Sequence, residues 1–427
     1  MHTLFLPFFP FHTSVFPRTF KSTTPCANEY THLHTSEQKW TRCSGRGSEG
    51  NPVMNIFYDH SIFQQGYGGI SRYFREIIVR LLDKESVNVH LFMGLFLNRY
   101  GLEKEKGRYS GYWGWPVPPI RYAGILRRFL NRKGWRLFQA KFAHEGGKGS
   151  IYHPTYYDFE GLPRSKVVFT VHDFTHERYS SFFSSKDQTP RMKREAFKRA
   201  DALICVSEST KNDLLDLYEL DAASRIEVVH HGYNDLSSLS RHDILLPGRP
   251  FFLFVGPRHS YKNFDCLVKA FASSSELKKD FMLVCFGGAA FSREESNQFQ
   301  SMGIMDKIIR FEGGDDVLAT LYKNAAALAY PSFYEGFGIP LLEAMSCGCP
   351  VIAGNTSSIP EVAGDAALLF APASADELAG QLRRIVFESG LRARMTELGR
   401  HRCALFSWNR CLEQTLELYK ELLQDTV

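Results

Sequence analysis

The sequence predicts an α/β protein built from two doubly wound domains that face each other across a cleft. Three observations lead there. From residue 54 onward, short β-rich runs alternate with helical patterns, as in parallel sheets covered by helices on both faces. The alternation breaks once, at 235–250 (DLSSLSRHDILLPGRP), a polar stretch with Pro and Gly that reads as a linker. The chain has 427 residues, too many for one typical domain and suited to two of about 150–200 residues each. Hydrophobic residues make up 44% and charged residues 23%, enough for large buried cores.

Taken in order, residues 1–53 stand apart. They are rich in Thr, Ser, His, Pro and Phe and show no sustained period. Three readings stay open: a disordered extension, a stretch that is not made because translation starts at Met54, or a targeting segment. The opening MHTLFLPFFPFHTSVFPRTF is broken by Pro and lacks a basic start and a small-residue cleavage site, which weighs against a secretory signal. Residues 54–235 read as the first domain. Strands are expected at 55–58, 87–92, 150–153, 166–171, 202–206 and 226–229, and helices at 71–82 and 208–218. Residues 250–406 read as the second domain. Its strands are expected at 251–255, 282–286, 308–311, 327–330, 350–353 and 367–370, and its helices at 264–273, 293–301, 317–323, 341–346 and 375–388. A last helical pattern, 408–423 within the terminal 408–427, is expected to cross back onto the first domain. Open α/β sheets bind ligands at the carboxyl ends of their strands, so two facing sheets make an interdomain site.

Composition excludes several classes. The formal net charge of +5 is too mild to imply nucleic acid. Nine cysteines, odd in number and irregularly spaced, read as reduced thiols of a cytoplasmic protein. Cys347 and Cys349 form the only close pair and lack the C-x2-C spacing or nearby His of a zinc site, so no metal is expected. No apolar run reaches the roughly 18–20 residues of a membrane span.

The most informative segment is YPSFYEGFGIPLLEAMSCGCP, Tyr330 to Pro350. Glu335 and Glu343 stand seven residues apart, and Gly336-Phe337-Gly338 precede Ile339-Pro340, where a helix should begin. Pro suits a first helical turn because its missing N–H would be unpaired there. The free N–H groups and positive end of that helix suit a diphosphate, and the glycines let backbone approach it. Glu335 would sit on the loop facing the cleft. Glu343, about one turn into the helix, could accept from vicinal hydroxyls such as those of a ribose. The plain alternative is an ordinary strand–loop–helix with solvated glutamates. In FFLFVGPRHSYKNFDCLVKAF, Gly256 ends a buried strand, Arg258 and Lys262 follow on the loop and Asn263 opens a helix. Two cations at a strand's carboxyl end can neutralise a leaving diphosphate, or can simply be solvated.

In the first domain, QGYGGISRY follows the first strand. Gly68 and Gly69 could lie against phosphates or form a tight turn. The full G-x-G-x-x-G pattern is missing, because Tyr73 stands where a small residue would help, and no convincing acid follows about 20 residues on, which argues against a dinucleotide oxidoreductase. His172 ends another strand and is placed to reach the cleft. Ser207 is a good N-cap, a structural role that suffices by itself. His230-His231 suggest a metal, but no third ligand is evident.

These motifs, together with Pro350-Val351-Ile352 and Pro360-Glu361-Val362-Ala363-Gly364, resemble those of the retaining family 4 glycosyltransferases, whose GT-B fold pairs two Rossmann-like domains. The resemblance covers residues 54–427 and is nearest to the mannosyltransferase-like bacterial branch that builds surface polysaccharides such as lipopolysaccharide. It implies a retaining hexosyltransferase that draws on a nucleotide sugar as substrate, GDP-mannose first and a UDP sugar second, with no cofactor. It implies an acceptor hydroxyl on a glycan or lipid-linked glycan bound on the first domain. By the same resemblance Glu335 contacts the donor sugar, Glu343 holds the ribose, and Arg258 and Lys262 stabilise the diphosphate. His172 contacts the sugar, Gly68 and Gly69 lie against phosphates and acceptor, Gly336, Phe337, Gly338 and Ile339 line the donor, and Ser207 stands nearby. Relatives often carry Arg-Lys-Asn, whereas here Tyr261 precedes Lys262. A catalytically silent nucleotide-sugar-binding protein is the competing reading, and the joint retention of Glu335, Glu343, Arg258 and Lys262 argues against it.

Residues 121–148 carry Arg121, Arg127, Arg128, Arg132, Lys133, Arg136, Lys141 and Lys148 against one acid, Glu145, interleaved with Ile125, Phe129, Leu130, Trp135, Leu137, Phe138 and Phe142. Three readings stay open: peripheral contact with an anionic membrane at the inner face of the plasma membrane, binding of a phosphate-containing acceptor, or a solvated helix.

Overall fold

The computed structural model describes residues 53–119, 124–142, 149–220 and 225–424. The readings of residues 1–52, and of Arg121, Glu145 and Lys148, lie outside the described residues. Two parallel sheets organise the rest. The first has seven strands: β1 (Met54–Tyr58), β2 (Val87–Phe96), β3 (Gly111–Pro116), β4 (Ser150–Tyr152), β5 (Ser165–Val171), β6 (Ala202–Cys205) and β7 (Arg225–Val228), in the order β3-β2-β1-β4-β5-β6-β7. The second has six: β8 (Phe251–Val255), β9 (Met282–Phe286), β10 (Ile308–Phe311), β11 (Ala327–Tyr330), β12 (Val351–Gly354) and β13 (Ala367–Phe370), in the order β10-β9-β8-β11-β12-β13. Every pairing is parallel. In each sheet the chain steps outward on one side and then jumps back past its first strand. That leaves a crevice at the carboxyl ends between β1 and β4 and another between β8 and β11, the places where such sheets take ligands.

The strands form for the reason their sequences suggest. Phe251–Val255 and Ala327–Tyr330 are continuous apolar runs because both faces of a central parallel strand are covered. β3 escapes a reading by pattern: GYWGWP holds two glycines and a proline. It is tolerated because β3 is an edge strand, where Pro need not donate. β2 shifts register between Phe92 and Gly94 as it pairs with β3. Asn131, on the helix Gly124–Phe142, repairs the ladder there: its Oδ1 accepts from Leu95 N at 2.7 Å and its Nδ2 donates to Leu95 O at 3.2 Å.

The helix Trp408–Gln424 turns Trp408, Cys411, Leu412, Leu416 and Tyr419 into the core of the first sheet, with Ile56, Phe74 and Ile77. Where the chain passes Gly232, a Cβ would stand 2.1 Å from Trp408 N, so this crossing admits only glycine. The helix Ile339–Ser346 lies between the two halves. Its first residue, Ile339, packs against the core clusters of both sheets.

Candidate functional site

The second sheet supplies most of the site. β11 ends at Tyr330 and the chain loops through Pro331–Gly338. Gly338, at φ 101°, takes the left-handed turn that starts the helix Ile339–Ser346, with Pro340 in its first turn. The loop is braced from the turn after β12: Ser358 Oγ donates to the carbonyls of Glu335 and Phe337 at 2.9 and 3.1 Å, and Ser357 Oγ accepts from Glu335 N at 2.9 Å. Because β8 neighbours β11 across the switch point, the loop after β8 arrives beside it. Lys262 Nζ donates to Glu335 Oε1 at 2.6 Å, with both side chains largely out of solvent. Asn263, at φ 54°, ties the two loops by donating to Pro331 O at 3.0 Å and Pro372 O at 2.7 Å.

Arg258 goes elsewhere. Its guanidinium donates to Glu295 Oε1 at 2.7 Å and to Ala289 O at 2.8 Å, and lies 4.6 Å from the centre of the Phe291 ring. The side chain is 5% exposed. The sequence suggests two cations converging on one ligand; the structure joins Lys262 to Glu335 and commits Arg258 to the end of β9. The reason is Glu295, which caps the helix Arg293–Ser301 and offers Arg258 a nearby carboxylate.

Glu343 is 3% exposed and faces a residue that the sequence did not single out. Arg72 Nη1 donates to Glu343 Oε1 at 2.7 Å, and Arg72 Nη2 reaches Asp315 at 2.9 Å. Burial pushes the Glu343 carboxyl up to about 7, while Arg72 pulls it back. Arg72 lies one turn along the helix Gly69–Leu81 from Gly68, whose carbonyl accepts from Arg72 N at 3.0 Å. The glycine loop therefore stands across from the helix that carries Glu343. Gly68 has an extended backbone, and an added Cβ would press only on the end of the Gln65 side chain. At Gly69 an added Cβ would meet nothing within 4 Å, so the loop leaves open space there.

His172 follows β5 and is buried beside Tyr73 and His231, with ring centroids at 5.2 and 5.6 Å. Burial lowers its pKa to about 3, so the imidazole is neutral. Its Nε2 has no hydrogen-bond partner among the described residues, a costly state for a buried polar atom and common where a ligand completes the pairing. Its backbone explains Gly336: a Cβ there would stand 1.7 Å from His172 O. Gly336 is a contact point between the halves. Ser207 takes part in the same contact. It caps the helix Glu208–Leu217 by accepting from Thr210 N, and donates to Gly336 O at 2.8 Å. Phe337 turns its ring into an aromatic group with His231 at 5.3 Å and Phe406 at 5.7 Å, so only its backbone is left for a ligand. Among the described residues no group of three or more His, Cys, Asp or Glu is placed to hold a metal.

Arg72 and Asp315 were not among the expected site residues, and Glu361 entered only as part of the Pro360–Gly364 element. Glu361 accepts from the N–H groups of Glu208 and Ser209 at 2.8 and 3.1 Å and from His230 Nε2 at 2.7 Å, so a carboxylate of one half caps a helix of the other. Its position in Pro360-Glu361-Val362 was the one available signal. Nothing in local sequence pairs Arg72 with residues more than two hundred positions away.

Residues 67–235 match the family model described as Glycosyltransferase Family 4, and residues 240–402 match the one described as Glycosyl transferases group 1. The O-antigen chain mannosyltransferase B of Escherichia coli is 29% identical over 393 residues, which cover 86% of this chain and 100% of that one. Sucrose-phosphate synthase from Thermosynechococcus elongatus superposes with a TM-score of 0.65 at 20% identity, over 87% of this chain and 100% of that one. Anabaena HepE, solved in complex with UDP-glucose, superposes with a TM-score of 0.64 at 16% identity, over 86% of this chain and 99% of that one. At these identities the two solved structures speak for the fold, which is GT-B.

Proposed function

The chain belongs to the family 4 glycosyltransferases and is a hexosyltransferase; on that premise we propose that it moves mannose from GDP-mannose to a hydroxyl of a glycan or lipid-linked glycan, with retention at the anomeric carbon, in surface polysaccharide synthesis. Mannose comes first because the Escherichia coli relative is a mannosyltransferase, and a UDP sugar comes second because HepE was solved with one. One observation carries the proposal. The Lys262–Glu335 pair stands at the loop that leads into the helix Ile339–Ser346, Glu343 lies in that helix against Arg72 of the glycine-loop helix, and His172, whose Nε2 has no partner among the described residues, abuts Gly336 of the same loop.

In this reading the diphosphate lies at the helix start, where unpaired N–H groups and the positive dipole end favour it. Lys262 exchanges Glu335 for phosphate oxygen as negative charge grows there, which frees Glu335 to accept from hydroxyls of the sugar. Glu343 accepts from the ribose. His172, neutral, offers Nε2 to the sugar. The bond from the anomeric carbon to the phosphate oxygen breaks on the face where the acceptor oxygen bonds, and the acceptor proton passes to the departing phosphate. Arg258, held by Glu295, acts on the diphosphate only by leaving that partner.

The test is a thermal-shift panel of GDP, UDP and ADP sugars, followed by transfer from the stabilising donor. Stabilisation by GDP-mannose, and a product whose anomeric configuration matches the donor, are expected. Stabilisation by NAD(H) alone, or donor binding with no turnover on any acceptor, overturns the reading.

A further inference from the structure

The helix Gly124–Phe142 is apolar on two opposite faces, and the protein covers only one. Asn131, Trp135, Phe138 and Phe142 are buried against the first sheet. Ile125, Leu126, Phe129, Leu130 and Leu137 are exposed, from 44% at Leu130 to 76% at Ile125. At about 100° per residue these five fall with Lys133 in one sector about 140° wide, opposite the buried face. Arg128, Arg132 and Arg136 run along one edge of that sector, and Arg127 and Lys141 along the other. The helix carries six cations and no acid. Two acids face it from the loop after β4: Asp158 pairs with Arg132 at 3.3 Å and Glu160 with Arg136 at 3.0 Å. Both are solvent-exposed pairs of small energetic worth, readily exchanged for other anions.

The neighbouring edge strand adds a second, independent feature. Trp113 of β3 packs on Phe138 at 5.9 Å and under Lys141. Trp115, two residues on and therefore on the same face of β3, is 57% exposed. Tryptophan at such a position suits the headgroup level of a bilayer.

We propose that this face is a docking surface for an anionic membrane: the helix lies in the plane of the bilayer surface, with its outer leucines, isoleucine and phenylalanine among the acyl chains and its flanking cations at the phosphates. A solvated helix would not gather five large apolar side chains in one sector, and a soluble phosphate ligand would not require them. A protein partner would match the apolar sector but not cations on both of its edges. No helix among the described residues is long and apolar enough to cross a membrane, which agrees with lying on a surface. The inference does not depend on which sugar the enzyme transfers.

The experiment is flotation of the full-length protein with phosphatidylcholine vesicles and with phosphatidylcholine–phosphatidylglycerol vesicles. Two variants are compared with the parent: I125S/F129S/L137S, which removes outward apolar groups, and R128Q/R132Q/R136Q, which removes one cationic edge. Binding to anionic vesicles is expected to exceed binding to neutral ones by about tenfold or more and to fall with salt. Each triple variant should lose about tenfold or more while keeping its circular dichroism, its melting temperature and its thermal shift with nucleotide sugar. Equal binding to both vesicle types overturns the proposal. So do parent-like binding by the variants and a parent dimer, indifferent to vesicles, that the apolar variant dissolves into monomers.

Discussion

At the scale of single residues, the crevice is a set of charges that satisfy one another. Lys262 and Glu335 hold each other at 2.6 Å, and Arg72 holds Glu343 at 2.7 Å. In the proposed reading a ligand carrying a diphosphate and a ribose takes over these pairings, and each glutamate then has its own test. Lys262 is the cation proposed to meet the developing charge, so Lys262→Met is expected to lower kcat by about 10²–10³ with the fold intact, as steady-state kinetics and circular dichroism will show. Glu343→Ala removes the carboxylate proposed to accept from the ribose. Nucleotide affinity measured by calorimetry should fall by about 10–100-fold, and an unchanged affinity would end the ribose assignment. Arg72→Met leaves a buried carboxyl with no cation. It should reduce stability by about 3 kcal/mol in denaturant titration, with Glu343 taking up a proton near neutral pH.

At the scale of elements, the loop Pro331–Gly338 is where the two halves touch. His172 O abuts Gly336, Ser207 donates to Gly336 O, and Tyr179 OH donates to Phe333 O at 3.1 Å. A Cβ at Gly336 would collide with backbone rather than with a side chain that can swing aside. Gly336→Ala is therefore expected to cost about 3 kcal/mol or more and to separate the halves, read as a lower melting temperature and a larger radius of gyration in solution scattering. Most elements were legible. The expected strand 251–255 and helix 264–273 match β8 and Phe264–Ser273, because long apolar periodicity has one structural outcome. Among the described residues five α-helices had no counterpart in the reading: Thr175–Arg178, Thr189–Phe197, Ser275–Asp280, Ile359–Ala363 and Leu391–Cys403. The last buries only Leu391, Met395, Gly399 and Cys403, a narrow stripe among charged residues that gives little period to detect.

At the scale of the whole molecule, buried histidines set the response to acid. Burial lowers His153 and His172 to about 3 and His90 to about 4, and takes His231 well below its ordinary value. Below the ordinary value of 6.5 the unfolded chain binds protons that the folded chain refuses. Stability therefore falls as pH drops from there toward the folded values, by up to about 1.4 kcal/mol per pH unit for each such histidine. Glu343 works the other way: its raised pKa adds a cost as pH rises from its ordinary value through about 7. Four histidines outweigh one carboxyl. Melting temperature measured across this range should decline steeply below pH 6.5, and a flat profile down to pH 4 would contradict neutral burial.

The sequence alone determined the family, the fold class and the place of most strands and helices. Those depend on local order: apolar periods, a glycine before a helix start, a spacing of seven residues. Only the tertiary structure decided who faces whom. Arg72 reaches Glu343, Glu361 caps Glu208–Leu217 and Gly336 yields to His172 because two sheets with the same strand order present their carboxyl ends to each other, while Arg258 turns to Glu295 because β8 and β9 are neighbours in one sheet. Contacts of that kind are set by the placement of whole layers. A carboxylate and a guanidinium far apart in the chain carry no mark of it until the layers meet.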